Sequence, residues 1–299
     1  GIGDAIPTVL TMTVVPILGA GSSMADYRIG FKWWALIIAV VFVISELVCV
    51  ACVPERPVAC DEKPGKISDM FKALFKNDQA MTVVVSIILV YTSLNICGNL
   101  VLYFFRFDVG NEGAYSIFAA VAFAAQVLVM MVIPLLRKRF SKSQLFISGF
   151  IIQIAGFAVI LIMAFAKLYT PQSWYILCLP GILIYLGYGM LNVIMTIFLS
   201  DSVDYGEVMN GTREESVIFS MQTFTVKLAS GVAVFLAGLV VDWIHLDTAA
   251  AVQTQDTLDA LRMWMTIPSV ILLIVGIFVF KRFYKLDDAR MEEIKSKLN

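Results

Sequence analysis

Charged side chains are scarce in this sequence, at 15% of 299 residues, where a soluble chain carries about 25%. The 22 Lys and Arg nearly balance the 23 Asp and Glu, so there is no basic face for nucleic acid and no acidic tail. Histidine occurs once, as His245, and without a Cys or His cluster beside it this residue supplies no metal site. No GxxxxGK[ST], HExxH or GxSxG motif is present, which leaves ATP-driven pumping and the common hydrolases without support. The cysteines, Cys49, Cys52, Cys60, Cys97 and Cys178, are an odd set lying mostly in apolar runs, and a disulfide framework is excluded on that ground. Cys49-Val-Ala-Cys52 has a redox spacing but lacks a strand-helix context, so it reads as two free thiols. The chain begins at Gly1 with neither the charged start nor the cleavage pattern of a signal peptide, and it reads as a fragment.

Apolar residues are in excess, at 60% against about 45–50% in a soluble chain. They gather into runs long enough to cross a hydrocarbon layer of ~30 Å, which takes about 20 helical residues. About eight such runs lie near 3–20, 33–53, 81–105, 113–136, 144–166, 174–200, 216–243 and 261–280, the first being the least apolar. Segments of this length satisfy their backbone amides in lipid as helices, so the expected fold is an all-α integral membrane bundle.

Lys and Arg orient it. Arg56, Lys63, Lys66, Lys72, Lys76, Arg137, Lys138, Arg139, Lys142, Arg213 and the six basic residues from Lys281 to Lys297 fall on one side. Only Arg28, Lys32, Arg106, Lys167 and Arg262 fall on the other. The richer side is cytoplasmic by the positive-inside rule, so the chain is expected to cross the cell membrane repeatedly and end in the cytoplasm.

A polar stretch at 55–80 separates two spans from six. Within it Ile67, Met70, Phe71, Leu74 and Phe75 recur at helical spacing behind Ser68, which predicts an amphipathic helix on the membrane surface. The expected organisation is the last two helices of one half (1–54), a connector (55–80), a complete six-helix bundle (81–285) and a cytoplasmic tail (286–299), the pattern of a two-half transporter.

One basic residue lies inside a span. Lys227 is eleven residues beyond Ser216, about 17 Å along a helix and close to the bilayer midplane. An ammonium there costs ~2.5–3.5 kcal/mol even on a lenient scale, so it requires a wetted cavity or a carboxylate. Ser216, Ser220, Thr223, Lys227 and Ser230 follow helical period along one face. Thr92, Asn95 and Asn99 form a second stripe, and Tyr185, Tyr188, Asn192 and Thr196 a third. Three polar faces imply one shared cavity, although any single Ser or Thr serves equally well as interhelical glue. Glu46 is close enough to a span end to reach the interface, and Gly231 and Gly238 read as close-packing positions.

The segment from Asp201 to Glu215 is acidic where a cytoplasmic loop is usually basic. Asp201, Asp204, Glu207, Glu214 and Glu215 face Arg213 alone, and ion pairs to Arg137, Lys138, Arg139 or Lys142 would make a reversible gate. The alternative is a solvated turn at Asn210-Gly211.

Asp201-Ser-Val-Asp-Tyr-Gly-Glu207, Gly211-Thr-Arg-Glu-Glu-Ser216, Ser220-Met-Gln-Thr-Phe-Thr-Val-Lys227 and Lys76-Asn-Asp-Gln79 together resemble the glycoside-pentoside-hexuronide cation symporters of the major facilitator superfamily. The resemblance covers essentially the whole chain, from the family's fifth helix to its twelfth. It implies secondary active symport of a sugar or glycoside with Na⁺ or H⁺ by alternating access, with no enzymatic activity, no cofactor beyond the coupling cation, and the lipid bilayer as surroundings. It places Lys227, Gln222, Thr223, Asn95 and Asn192 at the substrate, and Asp201, Asp204, Tyr205, Glu207 and Arg213 in a cytoplasmic gate. At the position of Asn192 the resemblance implies a tryptophan, so stacking on a sugar ring is lost there. The family's main cation-binding carboxylates lie on helices that precede this segment, so residues 1–299 alone are expected not to transport. The rival expectation is a sugar-sensing or lipid-handling membrane protein on the same fold.

Overall fold

The computed structural model describes residues 10–11, 14–21, 24–52, 74–211, 215–248, 250 and 252–298. The chain divides into two units, Gly1–Gly65 and Lys66–Asn299. In the first, helix α1 (Met24–Cys52) runs for 29 residues, and the Trp34 indole N–H donates to Thr11 Oγ1 at 2.8 Å.

The second unit holds six helices long enough to span a bilayer. They are α2 (Asp78–Tyr103), prolonged by a π-helical turn at Phe104–Asp108, α3 (Ala114–Leu136), α4 (Lys142–Phe165), α5 (Cys178–Asn210), α6 (Glu215–Trp243) and α7 (Gln255–Phe283). A tail helix, α8 (Asp288–Leu298), follows. With α1 this makes seven membrane-length helices among the described residues. Half of the run expected near 3–20, and all but the last two residues of the surface helix expected at 67–75, fall outside them.

Helix α2 packs against α6 and α7, α5 against α3 and α4, and α4 against α7. In lipid there is no hydrophobic drive between helices, so close van der Waals fit and interhelical hydrogen bonds hold them together. The fit centres on fully buried Phe146, Phe150, Phe157 and Phe198, with Phe146 and Phe280 rings 4.5 Å apart. Ser269 Oγ donates to the Ser93 carbonyl at 2.8 Å and Ser93 Oγ to the Ser269 carbonyl at 3.1 Å, a reciprocal pair joining α2 to α7. Gly187 brings α5 against α4 so closely that a β-carbon there would lie 2.5 Å from the Gly149 carbonyl oxygen. Gly231 and Gly238, expected as close-packing positions, have no neighbour among the described residues within 4 Å of such a carbon. Close approaches occur instead at Gly156 and Gly187 on α4 and α5, and at Gly276 on α7.

The acidic segment also differs from expectation. It is not a loop: α5 continues through Asp201, Asp204, Tyr205 and Glu207 to Asn210, well past the run of apolar residues. It ends where Gly211 takes φ 73° and donates its N–H to the Glu207 carbonyl, a left-handed C-cap that glycine adopts without strain. A helix entering water keeps its own hydrogen bonds, so an apolar run marks the membrane part of a helix and not its end.

Candidate functional site

The buried line of α6 is Ile218, Met221, Thr225, Ala229, Ala233, Ala237 and Val240. Ser216, Ser220, Thr223 and Lys227 lie on the opposite, exposed side, with Gln222 half-buried between the two. The hydroxyls of Ser220 and Thr223 donate to the carbonyls one turn back, at 2.6 and 3.3 Å. Lys227 makes no hydrogen bond or ion pair among the described residues. The deep lysine is therefore on a face that its own six-helix unit leaves uncovered.

Asn95 and Asn192 approach each other through a residue that sequence reasoning did not single out. Asn192 Nδ2 donates to the Tyr91 hydroxyl at 2.5 Å, and the Tyr91 and Tyr188 rings meet edge-on with centroids 5.6 Å apart. Asn95 Nδ2 donates to the Tyr91 carbonyl at 2.7 Å. Asn95 and Asn192 thus flank Tyr91, while among the described residues neither is hydrogen-bonded to Lys227, Thr223 or Gln222. The signal for Tyr91 in the sequence was its place one helical turn before Asn95, on the same face as that polar stripe.

At the end of the bundle expected to face the cytoplasm, Lys142 pairs with Asp201, both buried. Ser141 caps α4 in a reciprocal box with Gln144, which puts Lys142 in the first turn, where the helix dipole disfavours a cation. Carboxylates offset that: Asp201, and Asp288 of the tail at 3.5 Å. Arg137 reaches the same Asp288 at 3.4 Å. Of the four basic residues expected to meet the acidic segment, Lys142 does so directly, and Arg137 meets Asp288 of the tail instead. Asp204, Tyr205 and Glu207 are half-buried on the last turns of α5, with Tyr205 packed on Leu286, Met291 and Ile294. Arg213 lies outside the described residues.

Asn77 and Gln79 bind the same end together. The Asn77 side chain caps α2 by accepting from the Ala80 N–H at 2.9 Å and donates to the Ser202 carbonyl at 2.7 Å. Gln79 accepts from the Lys285 N–H at 2.8 Å. The Tyr284 hydroxyl is buried with no hydrogen-bond partner among the described residues, and burial, followed by the charges of Asp201 and Asp288, pushes its pKa up.

At the opposite end Arg262 holds Asp108 through Nε to Oδ2 at 2.8 Å and Nη2 to Oδ1 at 2.5 Å. Its Nη1 donates to Asp259 at 2.7 Å, and the Tyr169 hydroxyl donates to Asp108 at 2.6 Å. Burial first, and the Asp108 charge second, raise the Tyr169 pKa. Sequence reasoning placed Arg262 among residues outside the spans. Helix α7 begins earlier, at Gln255, so Arg262 sits two turns inside it and requires the buried carboxylate that the π-helical turn of α2 presents.

The sequence profile of the family described as MFS/sugar transport protein matches residues 2–288. The chain belongs to that family. Its relatives include proteins named as a carrier, a transporter and a symporter. It is 23% identical to the raffinose carrier protein of Pediococcus pentosaceus, an alignment covering 99% of this chain and 46% of that protein. It is 25% identical to the isoprimeverose transporter of Lactiplantibacillus pentosus, covering 96% and 58%. With the uncharacterized symporter YjmB of Bacillus subtilis (strain 168) it shares 24%, covering 97% and 61%. The chain spans roughly half to three-fifths of the length of these relatives. Membership of the MFS/sugar transport family fits three layers of polar groups in one apolar bundle: a charged layer at each end, and amides, tyrosines and one lysine between them.

Proposed function

We propose that this chain is part of a secondary symporter that takes up a sugar or glycoside together with Na⁺ or H⁺ by alternating access. Residues 81–285 would form one complete six-helix half, 1–54 the last two helices of the other, 55–80 the connector and 286–299 a cytoplasmic tail in the cell membrane. The observation that carries this is the position of Lys227, midway along the 29 residues of α6 and on its uncovered face in line with Ser216, Ser220 and Thr223. An ammonium at that depth is sustained by water or a carboxylate and not by lipid tails, which a passage for a hydroxyl-rich solute supplies. The names of the relatives, carriers of raffinose and isoprimeverose, support a sugar as that solute. Asn95, Thr223 and Gln222 would contact it with Asn192 belonging to the same site, while Asp201, Asp204, Tyr205, Glu207 and Arg213 would close the cytoplasmic side.

The test uses the full-length protein containing this chain, reconstituted in proteoliposomes with labelled raffinose or isoprimeverose and an imposed Na⁺ or pH gradient. Accumulation by the wild type and its loss in Lys227→Ala, inserted to the same level, are the expected results. A Lys227→Ala protein that still concentrates sugar against a gradient overturns the role given to the lysine.

A further inference from the structure

We infer that Tyr91 is a sugar-contacting residue, and that Asn192 acts on the substrate through Tyr91 and does not touch it. This rests on the transporter reading above and names how the α2 and α5 side of the cavity recognises its solute.

The argument begins with which way α2 faces. Ser93 points at α7, where it exchanges hydrogen bonds with Ser269, and Ile96 points at α6, where it shares an apolar groove with Leu236 and Leu239. At 3.6 residues per turn, Tyr91 lies about 200° around the helix from Ser93. It belongs to the stripe Ile88, Tyr91, Asn95, Gly98 and Leu102, none of which is buried, whereas Ser93, Ile96, Cys97 and Leu100 all are. The facing stripe of α5, Tyr185, Asn192 and Thr196, is likewise half-buried or exposed. The two open stripes meet at the bond from Asn192 to the Tyr91 hydroxyl.

That bond has a directional consequence. Asn192 Nδ2 is the donor at 2.5 Å, so the Tyr91 oxygen is an acceptor there, and its own proton goes either to the neighbouring Tyr188 hydroxyl or to a solute. Tyr188 meets Tyr91 edge-on and is buried, which limits ring rotation. Tyr91 is thus a half-buried aromatic ring held on two sides, with its hydroxyl between Asn192 and Tyr188. A pyranose offers a C–H face that packs on such a ring and hydroxyls that accept from it. Asn192 has one amide hydrogen committed to Tyr91, and a side chain too short to offer an aromatic surface.

Binding of tritiated raffinose, isoprimeverose and lactose to the full-length protein in nanodiscs tests this. With whichever sugar the wild type binds, Tyr91→Phe keeps the ring and removes the hydroxyl, and is expected to raise Kd about tenfold. Asn192→Leu is expected to raise it by a similar factor, and to add less than about twofold in the Tyr91→Phe background, because the interaction it supports is already gone. A Tyr91→Phe protein within about twofold of wild type, or factors that multiply in the double variant, overturns the inference. If Asn192→Leu fails to insert, Tyr91→Cys in a cysteine-free background decides: sugar slows its alkylation if Tyr91 lies at the substrate, and leaves the rate unchanged if it does not. A wild type that binds none of the three sugars overturns the transporter reading itself.

Discussion

Arg262 and Asp108 meet side by side through two hydrogen bonds, of 2.8 and 2.5 Å, with each side chain only 3% exposed. They join α7 to the π-helical turn that ends α2, 154 positions apart in the chain. Pairs of this kind are costly to break because one partner is left as a buried, uncompensated charge. Asp108→Asn is therefore expected to destabilise the protein by ~3–5 kcal/mol. The double variant Asp108→Leu with Arg262→Met should recover most of that, both read by thermal unfolding in detergent. Equal losses in the single and double variants would show that shape and not charge holds the junction.

Replacing Gly187 by Ala is expected to push α4 and α5 apart, since the new carbon would meet the Gly149 carbonyl oxygen at 2.5 Å and the Gln153 nitrogen at 2.6 Å. Overpacking of this kind costs ~1–3 kcal/mol. Gly231→Ala, with nothing within 4 Å, is expected to leave the melting temperature unchanged or raise it slightly through helix propensity. Similar losses for both would contradict the packing described.

Tyr284 and Tyr169 give an alkaline signature. Both have folded pKa values raised above the ordinary 10.0, so the folded state keeps protons that the unfolded state releases above about pH 10. Their stabilising contribution is complete below that pH, and above it stability falls by up to about 1.4 kcal/mol per pH unit per group. Melting curves between roughly pH 8 and 11 check this. Tyr284→Phe also removes a buried hydroxyl without a partner and is expected to stabilise by ~1 kcal/mol while lessening the alkaline slope.

The tail is held by Asp288, which faces Arg137 at 3.4 Å and Lys142 at 3.5 Å, and by buried Leu286, Met291 and Ile294. Asp288 is 42% exposed, so its pairs contribute only ~0.5–1 kcal/mol. Asp288→Ala is expected to speed tryptic cleavage at Arg290 about two- to fivefold, and Met291→Ser to speed it more. An unchanged rate in both would mean the helix is released independently of these contacts.

The apolar runs alone determined that the chain is a bundle of membrane helices, and roughly where each lies, because lipid leaves a backbone few other ways to satisfy its amides. The depth of Lys227 was legible for the same reason: a helix converts residue number into distance. Partnership was not legible. That Asn192 meets Tyr91, that Lys142 takes Asp201 and shares Asp288, and that Arg262 closes on Asp108 depend on which faces of separate helices are pressed together. So does the close approach at Gly187, where two helices come near enough for one carbon to matter. Periodicity assigns a residue to a side of its own helix; only the packing of one helix against another says what waits on that side.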